Sequence, residues 1–248
     1  MFGKKKKEGT FDRRYKAKSP WKKSHRFSVR GEKEGDEEVI SEVFIHDTYK
    51  VGEITTEPEN VFDIGGHIGS FTVALKSRYP RARVWVVEPH PRSVDLIRKN
   101  VAGLDNVTVI HGAVSYERGA RLADSEEATG GGYITTEEEY RAANDNRYHL
   151  LEETIPTYTV EELVERAGVD HIDLVKWDCE GGEIDAFRNM SDQTAAMFGD
   201  MVGEFHHPDG YNGFVALAES RFPNHQFEGR PEEIEDGRHI GWFRAFVR

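Results

Sequence analysis

Two glycine-containing segments of the sequence hold most of the residues that could do chemistry, and the first begins at Asp63. It is Asp63-Ile-Gly-Gly-His-Ile-Gly69, and an apolar run precedes it. Its three glycines allow a tight turn from a strand into a helix, with backbone N–H groups close to a ligand. Glu88 ends the next apolar run, where a carboxylate can accept hydrogen bonds from both hydroxyls of a ribose. The two features together predict a nucleoside-binding site.

The nucleoside could belong to a dinucleotide or to S-adenosylmethionine. A pyrophosphate needs exposed N–H groups and positive potential, so the carboxylate of Asp63 beside the turn is poorly placed for NAD. S-adenosylmethionine has no phosphate and carries an ammonium and a sulfonium, which suit an acidic site. The sequence therefore favours the methyl donor. NAD binding and a purely structural turn remain the alternatives.

The second segment, Ile172–Glu183, is an apolar run that leads into four ionisable residues and a glycine pair. Four ionisable groups would make a poor core, whereas ligands of open α/β sheets bind outside the carboxyl ends of the strands. The four residues are Lys176, Asp178, Glu180 and Glu183. Asp178 closes the strand and is the strongest candidate for direct catalysis. Glu183 is predicted to be structural, because a helix dipole favours a carboxylate in the first turn.

With these residues the chain resembles the FkbM family of S-adenosylmethionine-dependent methyltransferases. The matching motifs are Asp63–Gly69, Glu88–Pro91, Asn100 and Lys176–Glu183, in that order and spacing. The resemblance covers roughly residues 60 to 206, and His67 stands where the family usually has Asn. It implies an α/β fold with a doubly wound, mostly parallel, seven-stranded Rossmann-like sheet and an antiparallel C-terminal strand.

The cofactor contacts follow from the glycine turn and from this resemblance. Asp63 ends the first strand and Glu88 faces the ribose. The resemblance places the adenine at the end of the third strand, near Gly112. The predicted cofactor-binding residues are Asp63, Gly65, Gly66, His67, Gly69, Glu88, Gly112 and Ala113.

A later strand ends in Gly203–Pro208 and places Glu204 and His206 on one face. With Asp178 they could hold a divalent cation such as Mg²⁺, which prefers carboxylates and water and would leave His206 as general base. The alternative is that Glu204 and His206 only line the acceptor pocket. The candidate catalytic residues are Asp178, His206 and Lys176, and the candidate metal ligands are Asp178 and Glu204.

Hydrophobic periodicity predicts the elements that position these residues. The predicted strands are 61–64, 84–87, 107–113, 172–177 and 201–205, and the predicted helices are about 69–79, 91–102, 159–167, 182–189 and 211–221. A closing antiparallel pair is predicted at 226–228 and 241–247, and an N-terminal hairpin at 37–54. Residues 114–158 form a long polar insertion, which predicts a lid-like segment with Tyr133 and Tyr140 facing the substrate.

Charge is divided unevenly along the 248 residues. Residues 1–30 contain 12 Lys and Arg against 2 acidic residues, and the remainder contains 21 basic and 43 acidic residues. Residues 1–33 therefore predict a flexible basic arm that holds almost none of the apolar core, before a methyltransferase domain over 34–248. Aromatic residues such as Trp21 and Phe27 leave open a contact of the arm with nucleic acid.

The sequence predicts a cytoplasmic enzyme, because it has neither an 18-residue apolar run nor an apolar segment after its first lysines. The expected activity is O-methylation of a hydroxyl or carboxyl on a sugar, glycan precursor or small metabolite. One alternative is a nucleic-acid methyltransferase that uses the basic arm. Another is a non-catalytic protein on a methyltransferase scaffold, although the retention of Asp63, Glu88 and Asp178 disfavours it.

Overall fold

The computed structural model describes residues 10–17, 24–31, 35–125, 132–143, 145–233 and 239–247. The strands of this part are β1 Phe11–Lys16, β2 Ser24–Val29, β3 Asn60–Ile64, β4 Arg83–Glu88, β5 Val107–His111, β6 Ala113–Val114, β7 Arg121–Ser125, β8 Tyr133–Thr135, β9 Tyr148–Thr154, β10 Thr157–Tyr158, β11 Ile172–Trp177, β12 Phe198–His207, β13 His225–Glu233 and β14 His239–Val247. The α-helices are α1 Asp36–Val39, α2 Ser70–Arg78, α3 Pro91–Asn100, α4 Glu137–Ala143, α5 Val160–Ala167, α6 Gly182–Asn189, α7 Asp192–Ala195 and α8 Gly210–Arg221. None of the helices in these ranges has the length and apolarity needed to cross a membrane.

The central sheet of the described chain has seven strands in the order β13-β14-β12-β11-β3-β4-β5. The strands from β12 to β5 are parallel, and β14 is antiparallel to both β12 and β13. The alternation of strands and helices along the sequence produces this arrangement, because a helical connection returns the chain to the same edge. The predicted doubly wound, mostly parallel sheet with an antiparallel C-terminal strand is confirmed.

Helices cover both faces of this sheet, so its strands are apolar on both sides. One face packs against α5, α6 and α8, for example through Phe187 and Phe214. The opposite face packs against α2 and α3 through Phe71 and Leu96. Strand order reverses between β3 and β11, which brings the carboxyl ends of these two strands together as neighbours. This switch point is where open α/β sheets bind their ligands.

The N-terminal hairpin exists, but it lies earlier in the chain than predicted. β1 and β2 pair antiparallel, with Phe11 opposite Val29. The predicted hairpin at 37–54 is wrong, because α1 continues there as a π-helix over Ile40–Ile45, followed by a 3₁₀ turn over Val51–Glu53. The buried residues of the π-helix, Ile40, Val43 and Phe44, are three and four positions apart, which is the spacing of one helix face.

The described part of the basic arm is not a flexible tail. Phe27 and Val29 of β2 are completely buried. The amide of Ser28 donates to Oδ1 of Asn100 at 2.6 Å, and Nδ2 of Asn100 donates to the Ser28 carbonyl at 3.2 Å. The expectation that this region holds almost none of the core is therefore wrong. Trp21, proposed above as a nucleic-acid contact, lies outside the described residues.

The insertion at 114–158 is folded over most of its length. β7, β8 and β9 form a three-stranded antiparallel sheet, and β6 pairs with β10. Tyr133 packs edge to face on Tyr148 with ring centroids 5.0 Å apart, and the Tyr140 hydroxyl donates to the Tyr148 carbonyl at 2.7 Å. Tyr133 and Tyr140 thus hold the insertion together instead of facing a substrate.

Phe27→Ala tests whether the hairpin belongs to the core. The Phe27 ring is buried and packs 5.3 Å from the centroid of Phe44. Its removal should lower the free energy of unfolding by about 3–5 kcal/mol, because a buried aromatic leaves a cavity. Phe11→Ala is the control in the same hairpin, since Phe11 is 42% exposed and its loss should cost less than about 0.5 kcal/mol. Urea denaturation followed by circular dichroism measures both, and equal effects would contradict docking of the hairpin.

Candidate functional site

The glycine turn after β3 is shaped by close contact with two neighbouring strand ends. Gly65 has φ of 77°, and a Cβ atom there would overlap the carbonyl oxygen of Asp178. The amides of Gly65 and Gly66 both donate to the Val87 carbonyl, at 2.9 and 3.1 Å. Only glycine combines this left-handed backbone with so close an approach. The turn is therefore fixed between β4 and β11.

Glu88 is held at the carboxyl end of β4 by two backbone donors. Its Oε2 accepts from the His67 amide and its Oε1 from the His90 amide, each at 2.8 Å. The side chain is buried, and burial raises the pKa of the carboxyl. Each carboxylate oxygen can accept a further hydrogen bond. Glu88 is thus oriented to accept hydrogen bonds from a pair of hydroxyl groups.

The side chain of His67 joins the turn to the N-terminal segment. Nε2 of His67 lies 2.9 Å from Nη2 of Arg30, and the Arg30 guanidinium also binds the buried carboxylate of Asp36. Burial and the adjacent Arg30 lower the pKa of His67 to about 4. His67 is therefore neutral at pH 7. Its backbone, not its imidazole, contacts Glu88.

Lys176 is buried behind the turn, between β3 and β11. Its Nζ donates to the carbonyls of Gly65 and Ile64 and lies 3.4 Å from both Asp63 Oδ1 and Asp178 Oδ2. Burial alone would lower the pKa of Lys176, but the two carboxylates outweigh burial and raise it. The ammonium therefore stays charged and binds the two strand ends together.

Asp178 follows β11 and contacts a residue that the sequence did not single out. The Tyr49 hydroxyl donates to Oδ2 of Asp178 at 2.5 Å. Burial opposes ionisation of Asp178, but Lys176 and Tyr49 outweigh it and hold the pKa below its usual range. Asp178 is therefore a carboxylate at neutral pH. Tyr49 has no motif around it, so no pattern in the sequence pairs it with Asp178.

Behind the end of β12, His206 is surrounded by carboxyl groups. Glu183 is completely buried. Its carboxylate accepts a hydrogen bond from the His206 amide at 2.8 Å and lies 3.1 Å from Nδ1 of the His206 ring. These contacts confirm the structural role of Glu183. Nε2 lies 3.5 Å from Glu180 and 3.9 Å from Glu204. Burial alone would lower the pKa of His206, but these carboxyl groups, Glu183 first, raise it to about 10. Burial and Asp178 raise the pKa of Glu204 to about 9.

A cavity of about 450 Å³ opens at this edge of the sheet. Its lining includes seven of the residues predicted from sequence: Gly65, His67, Glu88, Gly112, Ala113, Asp178 and Glu204. Five others lie behind the wall: Asp63, Gly66, Gly69, Lys176 and His206. Leu122 and Ile134 of the insertion also line the cavity, next to Ala113, so this part of the insertion does border the site.

The structure does not support the divalent cation expected at Asp178 and Glu204. In the described ranges, no group of three or more His, Cys, Asp or Glu side chains is placed to hold a metal ion. The physical reason lies in the two carboxyl groups themselves. Asp178 already binds Lys176 and Tyr49, and a cation at Glu204 would have to displace the proton that burial and Asp178 favour there, since a metal ligand must be deprotonated.

Several proteins that are similar to this chain in sequence or fold are named as methyltransferases. The sequence profile of the Methyltransferase FkbM domain matches residues 63–234. Methyltransferase sdnD of Sordaria araneosa is 23% identical over 205 residues, which cover 69% of this chain and 75% of that protein. The 2-O-methyltransferase NoeI of Sinorhizobium fredii is 26% identical over 134 residues, 50% of this chain and 54% of that protein. The crystal structure of Methyltransferase FkbM from Methylobacillus flagellatus KT aligns with a TM-score of 0.50 at 14% identity, over 82% of this chain and 47% of that chain.

The environment of His206 predicts an unusual titration. NMR should find His206 protonated up to about pH 10, while the adjacent His207, whose pKa burial lowers, should titrate below the usual histidine range. Because the folded pKa of His206 exceeds its ordinary 6.5, its contribution to stability is complete below that pH and is lost as the pH rises through about 10. Glu183→Gln should lower the pKa of His206 much more than that of His207, because Glu183 is the first of the groups that raise the pKa of His206 and the last of those that act on His207. A His206 pKa near 6.5 in the unmodified protein would contradict the arrangement described here.

Proposed function

The chain belongs to the FkbM methyltransferase family, and on this basis we propose that it transfers a methyl group from S-adenosylmethionine to a hydroxyl group of a sugar, glycan precursor or small metabolite. One observation carries the proposal. Glu88, suited to a ribose, and Asp178, an ionised carboxylate, line the same cavity at the switch point of the sheet.

The residues of the cavity fit the methyl donor. The Glu88 carboxylate already accepts hydrogen bonds from the amides of His67 and His90, and it can accept further hydrogen bonds from the two ribose hydroxyls. Ala113, Leu122 and Ile134 offer an apolar wall beside it for the adenine. Gly65 lines the same cavity, and its lack of a Cβ lets the turn lie against the Asp178 carbonyl. When bound, S-adenosylmethionine supplies an electrophilic methyl group on a sulfonium.

The charge of the cavity favours a hydroxyl acceptor over a carboxylate or a nucleic acid. Among the described residues that line it, five are acidic and none is Lys or Arg: Glu42, Glu88, Asp178, Glu180 and Glu204. Glu204 is protonated at pH 7, but an anionic acceptor would still meet the like charge of the ionised carboxylates, Asp178 among them. A neutral hydroxyl would not. NoeI is named as a 2-O-methyltransferase, which is the same class of reaction.

Asp178 is the group best suited to receive the acceptor's proton. His206 and Glu204, with pKa values of about 10 and 9, are already protonated at pH 7. Asp178 is ionised and lines the cavity. With S-adenosylmethionine bound, its methyl group would pass to the acceptor oxygen and the electron pair of the carbon–sulfur bond would stay on sulfur, while Asp178 would take the hydroxyl proton. Lys176 and His206 act from behind the wall as positioning residues.

Glu88→Ala tests the cofactor site. Loss of the carboxylate should weaken binding of S-adenosylhomocysteine by about 1–3 kcal/mol, because hydrogen bonds to a charged group are lost. Glu59→Ala is the control, since the Glu59 side chain is 76% exposed at the opposite edge of the sheet and should leave affinity unchanged. Calorimetry measures both. An unaltered dissociation constant for Glu88→Ala would mean that Glu88 does not hold the ribose.

Asp178→Asn tests the proton acceptor. It should preserve S-adenosylhomocysteine binding but reduce methyl transfer by about 10²-fold or more, the usual contribution of a general base. Asp170→Asn, in the exposed loop before β11, is the control and should retain full turnover. Labelled methyl donor and a panel of neutral sugars, sugar acids and oligonucleotides provide the assay. The product should be an alkali-stable methyl ether, and an alkali-labile ester or a methylated oligonucleotide would refute the hydroxyl assignment.

A further inference from the structure

We propose that Tyr49 is a positioning residue that orients Asp178 for proton transfer, so that the segment before the matched domain completes the catalytic site. Tyr49 precedes the residues 63–234 that match the family profile. The inference deepens the proposed function and rests on it. It assigns a role to a residue in the N-terminal part of the chain.

The contact is direct and the tyrosine has little freedom to leave it. The hydroxyl lies 2.5 Å from Oδ2 of Asp178, across 129 positions of sequence. Tyr49 is 3% exposed, and its ring packs edge to face on Phe71 and Trp242 with centroids 5.6 and 5.2 Å away. The Lys176 ammonium lies 5.6 Å from the centre of the same ring. The phenol is therefore fixed in place before any acceptor binds.

The bond determines which oxygen of Asp178 is occupied. Tyr49 and Lys176 both approach Oδ2. These two donors on one oxygen, together with the hydrogen bond between Glu204 and Asp178, fix the plane of the carboxylate that an acceptor hydroxyl would meet. Tyr49 and Asp178 both line the cavity, so the oriented carboxylate is within the site. Proton transfer depends on such alignment.

The surroundings of Tyr49 keep its hydroxyl protonated, so that it remains a hydrogen-bond donor. Burial raises the pKa of Tyr49 well above the usual value, and the charge of Asp178 raises it further, so the hydroxyl stays protonated at working pH. Charged and titratable groups reach Asp178 from each packed element. They are Lys176 and Cys179 from β11 and the residues after it, Glu204 and His206 from β12, Asp63 from β3, His67 from the glycine turn, and Tyr49. Of these groups, Tyr49 can be tested by a substitution that removes one oxygen atom and keeps the ring.

Tyr49→Phe removes only the hydroxyl, and Tyr79→Phe is the matched control. Tyr79 is also buried and its hydroxyl donates at 2.6 Å to the Ile54 carbonyl, outside the cavity lining. Carbon-13 NMR of protein labelled at aspartate carboxyl groups, with Asp178→Asn to assign the resonance, gives the pKa of Asp178 with S-adenosylhomocysteine bound. Tyr49→Phe should raise that pKa by about one unit, because a hydrogen bond to the ionised form is lost. Tyr79→Phe should leave it unchanged.

Methyl transfer gives the second readout. Tyr49→Phe should lower turnover by about tenfold or more and move the acid limb of the pH–rate profile upward with the pKa of Asp178, while affinity for S-adenosylhomocysteine stays within about twofold. A second titration does not require Tyr49→Phe to fold. In tyrosine-labelled protein, Asp178→Asn should lower the pKa of the Tyr49 phenol. An Asp178 pKa unchanged by Tyr49→Phe, or an equal shift in Tyr79→Phe, would overturn the assignment. Both titrations need no acceptor, so failure to methylate any acceptor would count against the proposed function alone.

Discussion

The buried ammonium of Lys176 is the interaction on which the arrangement of this site depends. It lies between the carboxyl ends of β3 and β11, in contact with two backbone carbonyls and two carboxylates. Removing a charge from water is costly unless partners surround it. Here the partners are the groups that must be positioned. Loss of the ammonium would leave the buried Asp63 and the partly buried Asp178 with hydroxyl donors from Thr72 and Tyr49 but without the lysine counter-ion.

The position of the cofactor carboxylate follows from the same strand junction. Lys176 holds the carbonyl of Gly65, and the amides of that turn hold the end of β4 through Val87. The next residue of the turn, His67, donates its amide to Glu88. A chain of backbone contacts therefore connects the Asp178 side of the cavity to the Glu88 side. The proposed donor and acceptor sites therefore share one junction of three strands, and preorganisation of this kind requires no rearrangement when the reactants bind.

The N-terminal segment contributes a third support, from outside the matched domain. Its hairpin buries Phe27 and Val29, Arg30 binds His67, and Tyr49 binds Asp178. The segment therefore touches both the glycine turn and Asp178, the proposed proton acceptor. Protonation of the neighbouring groups is a separate effect. Burial and Asp178 keep Glu204 protonated, and the carboxyl groups around His206, Glu183 first, keep His206 protonated, whereas Asp178 stays ionised.

The sequence by itself determined the elements of the central sheet and their order along the chain. Alternating apolar runs and helical patterns defined β3, β4, β11 and the helices after them, and the glycine spacing marked the turn, because these features depend on near neighbours along the chain. Seven predicted site residues line one cavity, because parallel strands place their carboxyl ends at the same edge of the sheet. Local pattern also misled at 37–54, where alternation and helical spacing overlap.

Tertiary structure alone decided the partnership of Tyr49 with Asp178, of Arg30 with His67, and of Lys176 with the turn. These pairs are 129, 37 and 111 positions apart, and no local periodicity specifies such contacts. The protonation states of His206 and Glu204 were likewise decided by burial and by neighbours from other strands, which exist only in the folded chain.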